Sequence, residues 1–166
     1  MFREIKPEEL KDNAFELIGK EWLLVAASRD GKSNAMTASW GGVGVMWGKP
    51  VAFIVLRPQR YTKTFVDSAD TFSLGVFPEE CRRMMSYMGT VSGRDEDKIA
   101  KCGLTESLVE GAPVFEESRL TLVCRKLFAQ PMEESSFLQK ETVEKWYPEK
   151  DFHTLYIAEI EKVLVK

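Results

Sequence analysis

The apolar residues of this chain fall into runs of strand length, each closed by a glycine, a proline or an Asp-Gly pair, and that punctuation admits few architectures. Residues 21–29 (EWLLVAASR) read as a buried strand, Asp30-Gly31 is a strong turn signal, and residues 33–40 return as the hairpin partner. Residues 51–56 (VAFIVL) form another apolar run, closed by Arg57-Pro58 because proline cannot continue a central ladder. An alternating strand is predicted at 71–77, and two long strands at 119–129 and 153–165. Six strands with mostly short connections predict a mainly β, antiparallel barrel rather than a parallel sheet.

The intervening segments predict peripheral helices. Residues 7–18 form a weak amphipathic helix or arm. Thr62 caps a short helix reaching Ala69, Pro78 opens a second that ends at Gly89, a third runs from near Asp95 to Gly103, and a fourth lies around 139–146. Gly41, Gly42, Gly44 and Gly48 read as a loose loop up to Pro50. No repeat, linker or low-complexity tract interrupts the pattern, so residues 1–166 are expected to form one domain.

At 166 residues and 44% hydrophobic, the chain can bury roughly 70% of its unfolded surface, so neither a metal nor a disulfide is needed for folding. A net charge of −3, from 23 Lys plus Arg against 26 Asp plus Glu, argues against general nucleic-acid binding, which needs a basic face. Cys81, Cys102 and Cys124 are odd in number and contain no close pair, which fits free thiols in a reducing cytoplasm. With His153 as the sole histidine, no multi-histidine metal site can be assembled, and no metal is expected. The charged opening MFREIKPEEL and the absence of an 18-residue apolar run predict a soluble protein without a membrane partner.

Two segments can carry chemistry. In Arg57-Pro58-Gln59-Arg60-Tyr61-Thr62-Lys63, three cations fall within seven residues where a strand gives way to a helix. Free backbone N–H groups, the helix dipole, a threonine hydroxyl and forked arginine donors together suit a phosphate. A solvated basic turn with an ordinary threonine cap accounts for the same residues. In Ser33-Asn34-Ala35-Met36-Thr37-Ala38-Ser39-Trp40 the side chains are mostly small, so backbone groups can meet a flat heterocycle. Alternation puts Asn34, Met36, Ala38 and Trp40 on one face, which equally describes a hairpin strand burying Met36 and Trp40.

Together these segments resemble the flavin reductase-like family of FMN-binding split barrels, which includes the flavoredoxins. Ser92-Gly93-Arg94-Asp95-Glu96-Asp97-Lys98 is similar to a further stretch of that family, and residues 151–159 (DFHTLYIAE) are similar to its final strand. The resemblance spans roughly residues 15–165 and implies a six-stranded Greek-key split barrel with peripheral helices. It assigns Asn34, Met36, Thr37, Ala38, Ser39, Trp40, Arg57, Gln59, Arg60, Thr62, Lys63 and Lys98 to FMN, and places His153 near the ring in a catalytic, proton-handling or ligand-orienting role. Lys98 also reads as a helix-surface lysine paired with Asp95 or Glu96, and His153 as a polar strand edge. Ala158 stands where the family commonly has glycine, and residues 43–47 are more hydrophobic than its pattern implies.

The activity implied by the resemblance is a homodimeric oxidoreductase passing electrons from NADH or NADPH to a flavin or to a small-molecule or protein acceptor. No dinucleotide-binding glycine fingerprint follows a strand, so a nicotinamide is expected to stack in an open cleft. A flavoredoxin-type carrier with a protein partner and a flavin-binding protein without turnover are the alternatives. Met84, Met85 and Met88 read as core or dimer-contact residues, and Cys81 and Cys124 as small hydrophobes.

Overall fold

The structure is a computed structural model and describes residues Met1–Lys166. In chain order its elements are β1 (Arg3–Ile5), α1 (Ala14–Glu16), β2 (Leu23–Arg29), β3 (Lys32–Ala38), β4 (Gly41–Met46), β5 (Lys49–Leu56), α2 (Tyr61–Ser68), β6 (Thr71–Val76), α3 (Arg82–Thr90), α4 (Lys98–Lys101), β7 (Glu106–Val109), β8 (Ala112–Phe115), β9 (Leu120–Pro131), α5 (Lys140–Trp146) and β10 (Thr154–Val165). Seven strands form one antiparallel path, β3-β2-β6-β9-β10-β5-β4, and β1 joins it by pairing with the far end of β10. The sheet does not close by hydrogen bonding, and β7-β8 form a separate hairpin. The fold is thus a mainly β, antiparallel split barrel with helices at its periphery.

All six expected strands are present, and the sheet is larger than expected because the glycine segment is itself a strand. β4 pairs along its whole length with β5, from Gly41 opposite Ile54 to Met46 opposite Lys49. Glycine is required where the two strands approach: a Cβ on Gly41, whose φ is +152°, would overlap the Phe53 carbonyl oxygen, and one on Gly42 would overlap the Phe53 ring. The amino-terminal arm is not one helix but a 3-10 turn (Pro7–Glu9), then α1 running into a π turn (Leu17–Glu21). The helix expected from Pro78 begins as a 3-10 turn (Glu79–Cys81), and α4 occupies only the end of the segment expected from Asp95.

β2 shows why an unbroken apolar run was needed. Leu23, Val25 and Ala27 enter the barrel core with Ile54, Leu56, Phe72, Leu74, Leu122 and Tyr156, whereas Leu24 and Ala26 pack outward against Met85, Met88, Ile99 and Phe115. A strand buried on both faces cannot alternate with polar residues. Because side chains fill the barrel interior, ligand-sized space lies outside it. No helix is long and apolar enough to cross a membrane.

Replacing Gly41 by alanine is expected to cost about 1–3 kcal/mol, the scale of forcing a side chain into a glycine-only conformation against backbone. Gly42→Ala should cost less, since the neighbouring Phe53 ring is partly exposed and can swing away. Urea denaturation of the two variants measures the difference, and equal losses would remove the special role given to Gly41.

Candidate functional site

Two adjoining cavities lie on the outer surface where β3 leaves the sheet. The larger, about 310 Å³, is lined by Met36, Thr37, Ala38, Ser39 and Trp40 from β3 and its exit, by Val55 and Arg57 from β5 and its end, and by Arg60, Gly89, Trp146 and His153. The smaller, about 150 Å³, is walled by Asn34, Met36, Gln59, Arg60, Tyr61, Thr62, residues 90–93 and Lys98. Met36 and Arg60 line both, so the two are parts of one site. The outer edge of β3 pairs with no strand, which leaves its backbone groups free at the cleft.

The small pocket is built around cations. Lys98 opens α4 and is only 3% exposed, and its Nζ donates to the Met88 carbonyl at 2.9 Å. Arg60 donates from Nη1 to the Gly89 carbonyl, also at 2.9 Å. Both cations therefore sit on the last carbonyls of α3, the negative end of that helix, which favours them. Neither has a carboxylate partner: Glu96 pairs with Lys101, and Asp67 pairs with Lys63. Burial, reinforced by the Arg60 charge, lowers the Lys98 pKa to about 8, and burial also pulls Arg60 down. Positive charge held out of water without an anion is unfavourable, so the pocket is poised to take one.

The remaining walls suit a small polyoxygen anion. The Asn34 Nδ2 donates to the Thr62 hydroxyl at 2.8 Å, and both residues are buried. Thr62 is not the helix cap, since Arg60 occupies that position and its side chain makes no capping bond. Its hydroxyl is instead oriented by Asn34, with its own hydrogen left for another acceptor. Gly93 closes the pocket, because a Cβ there would overlap the Asn34 side-chain oxygen and press on the Tyr61 ring.

In the larger cleft, Trp40 meets Trp146 edge-on with centroids 5.0 Å apart and lies 5.1 Å from the His153 ring. His153 Nδ1 is 2.6 Å from the Tyr147 hydroxyl, and Nε2 bonds to no protein group. With that hydroxyl as donor, Nε2 carries the ring hydrogen. Burial, and secondarily the Arg57 charge, lower the His153 pKa to about 4, against a weaker opposing pull from Asp151. Of the roles the resemblance implied for His153, this leaves ligand orientation ahead of proton handling: at pH 7 the imidazole is neutral and serves as a hydrogen-bonding group.

Twelve of the thirteen residues singled out in the sequence line these cavities, and Lys63 does not. Its Nζ pairs with Asp67, one helical turn on, at 2.8 Å and lies over the Tyr156 ring, so its charge is matched away from the pocket. Arg57 lines the ring-sized cleft, not the anion pocket, and spends its donors on Asp151 at 2.7 Å and on the Trp146 carbonyl at 2.8 Å. Trp146, Tyr147 and Gly89 carried no signal of a site role, and Asp151 entered only within the stretch similar to the family's final strand. The 92–98 stretch drew attention through Lys98 alone, although Gly93 shapes the pocket as much. Burial raises the pKa of all three cysteines, which are unpaired, so none is a ready nucleophile.

The fold and site together make a split barrel with a cationic pocket beside a ring-sized cleft. The comparisons specify it further: residues 16–166 match the model of the flavin reductase like domain, and the chain belongs to that family. An FMN-binding domain of a flavin reductases-like enzyme from Shewanella baltica is similar with a TM-score of 0.71 at 19% identity, over 99% of this chain and 77% of that one. A flavoredoxin of Desulfovibrio vulgaris has a TM-score of 0.69 at 26% identity, over 87% and 69%. An NADH:FAD oxidoreductase of Streptomyces globisporus, solved with NAD and FAD fragments, has a TM-score of 0.65 at 16% identity, over 88% and 74%. In sequence, the chain is 30% identical over 96 residues to an uncharacterized protein of Archaeoglobus fulgidus, spanning about half (54%) of that relative's length.

His153 is the only histidine, so its ring resonances can be followed without assignment ambiguity. They are expected to titrate near pH 4 and to stay constant between pH 6 and 8. Because the folded pKa lies below the ordinary 6.5, the unfolded chain binds more protons between the two values. The stability that His153 contributes is therefore present above pH 6.5 and falls away as pH drops toward 4. An NMR midpoint near 6.5 would contradict this.

Proposed function

We propose that the chain binds FMN, with the phosphate in the Arg60–Lys98 pocket and the tricyclic ring in the adjoining cleft, and that it passes electrons from NADH or NADPH to a flavin or small acceptor. The observation that carries this reading is the carboxylate-free pair of a buried Lys98 and a half-buried Arg60 next to a ring-sized cleft in a chain of the flavin reductase-like family. The residues present fit the cofactor: two cations, the Thr62 hydroxyl and the space left by Gly93 suit a phosphate monoester. When bound, the flavin supplies two-electron redox chemistry. The chain's own part is to anchor the phosphate through Arg60 and Lys98, to offer the unpaired edge of β3 to the heterocycle, and to hold a neutral His153 toward the cleft.

A second copy of the chain is the partner this reading calls for. An apolar face runs across four strands: Gly42, Phe53, Ile157 and Phe128 are successive cross-strand neighbours. Met46 is 42% exposed and Trp47 58% exposed beside them, and the Trp47 and Phe128 rings lie 6.4 Å apart. This face continues into the cleft, since Val55, which lines it, lies on the same side of β5 as Phe53. A homodimer formed here would cover both the apolar face and the open side of the site. Three free cysteines suit a reducing cytoplasm as the place of action.

Purified protein is expected to be yellow, or to become so with added FMN, and to bleach anaerobically with NADH or NADPH. Yellow protein inert to both would favour a flavoredoxin-type carrier with a protein donor, and protein that cannot be reconstituted would overturn the flavin reading. His153→Ala should slow reduction by about 100- to 1000-fold, the scale of losing one positioned hydrogen-bond donor, while FMN stays bound. An unchanged stopped-flow rate would remove His153 from the reaction.

Arg60→Ala should weaken FMN by about one to two decades and riboflavin far less, since a charged hydrogen bond is worth about 1.5–3 kcal/mol. The FMN preference over riboflavin should also decline as pH rises through about 8, where Lys98 loses its proton, and this decline should vanish in Lys98→Met. Flavin fluorescence titrations check both, and equal FMN affinity in Arg60→Ala and the unaltered protein would sink the phosphate assignment.

Sedimentation at micromolar concentration is expected to show a dimer that Phe53→Asp converts to monomer. A stable FMN-saturated monomer of the unaltered chain would exclude the shared site.

A further inference from the structure

The wall of the ring cleft made by residues 146–153 is not held by a sheet ladder, because α5 ends at Trp146 and β10 begins only at Thr154. A backbone bond from the Met132 N–H to the His153 carbonyl, at 2.9 Å, holds its far end, and side chains fix the rest. Arg57, at the end of β5, donates from Nη1 to Asp151 at 2.7 Å and from Nη2 to the Trp146 carbonyl at 2.8 Å, and its guanidinium lies 5.0 Å from the Tyr147 ring centroid. Gln59 donates to the same Asp151 oxygen at 2.8 Å. One carboxylate and one guanidinium thus tie three points of the segment, residues 146, 147 and 151, to the rigid end of β5. From there Tyr147 reaches His153 Nδ1, and Trp146 leans edge-on against Trp40.

We infer that Asp151 is a positioning residue: bridged to Arg57 and Gln59, it holds residues 146–153 against the cleft so that Trp146 and His153 face it, and Arg57 works in this bridge instead of on the phosphate. A partly exposed ion pair adds little stability by itself. A forked guanidinium that engages a carboxylate, a carbonyl and an aromatic face at once fixes geometry, which one lysine ammonium cannot reproduce. The assignment rests on the proposed function only in taking the cleft as the flavin-ring site, and the bridge itself is testable without flavin.

The test reads the His153 ring by NMR in the free, full-length protein, comparing the unaltered chain with Asp151→Ala and Arg57→Lys. Around this imidazole the facing groups are Arg57, whose charge disfavours the protonated ring, Asp151, whose charge favours it, and the uncharged Tyr147 hydroxyl. If Asp151 acted through its charge alone, its removal would push the midpoint below about 4, and Arg57→Lys, which keeps the cation, would leave it unchanged. If the bridge positions the segment, both variants release His153 into water, and the midpoint rises toward its ordinary value of 6.5. The rise is the expected result. Its absence in both variants overturns the positioning role, and Arg57→Lys alone decides should Asp151→Ala fail to fold.

Flavin titration supplies an independent arm. Loss of the bridge should weaken FMN and riboflavin by the same factor, whereas a loss confined to FMN in Arg57→Lys would return Arg57 to the phosphate and overturn its place in the bridge. Failure of the chain to bind any flavin would sink the proposed function but leave the NMR result standing, so the two failures are distinguishable.

Discussion

Strands β3 and β4 lie at opposite edges of one sheet, yet only Ser39 and Trp40 join them. Seven flat strands at about 4.8 Å spacing would put those edges roughly 29 Å apart, while three Cα steps reach about 11 Å at most. The sheet has to roll until its edges nearly meet, and this seam organises everything else. The rolled interior fills with Leu, Ile, Val, Phe and Tyr side chains, so no ligand can enter it. What remains is the outer surface of the seam, where β3 keeps an unpaired edge and Trp40 projects beside the cleft.

Electrostatics then divides the site into two compartments. α3 packs on the outer face of β2 and β3, which brings its carboxyl-terminal carbonyls to Arg60 and Lys98. A helix end collects the two cations, and the cations in turn face a pocket of about 150 Å³. The chain carries a net charge of −3, and the neighbouring cations Lys63 and Lys101 are matched by acids. These two are not matched, and that local imbalance is the ground for proposing an anion there. Arg57, three residues earlier, is neutralised by Asp151 and belongs to a different task.

The six principal strands were legible because each announces itself by length, apolar content and a closing turn, and Arg57-Pro58 marks the end of β5 where it was expected. β4 was not legible. Its glycines read as loop, and only the pairing partner shows why they are there: Gly41 and Gly42 make room for the Phe53 backbone and ring. For the site, the basic turn and the small-residue strand stood out as chemistry without their relation to each other. Lys63 was grouped with Arg60 by proximity in sequence, and helical geometry turned it to Asp67.

The sequence by itself determined an antiparallel, mainly β domain, the two segments that carry polar chemistry and the family pattern they resemble, because periodicity and turn residues act over a few neighbouring positions. The tertiary structure decided which cation stays uncompensated, that His153 is neutral and bonded to Tyr147, and that Trp146 and Asp151 belong to the cleft. They depend largely on groups far apart in the chain meeting at the seam, Arg57 with Asp151 and Arg60 with the end of α3 among them. Charge compensation and desolvation are properties of that meeting, and no local stretch of sequence contains them.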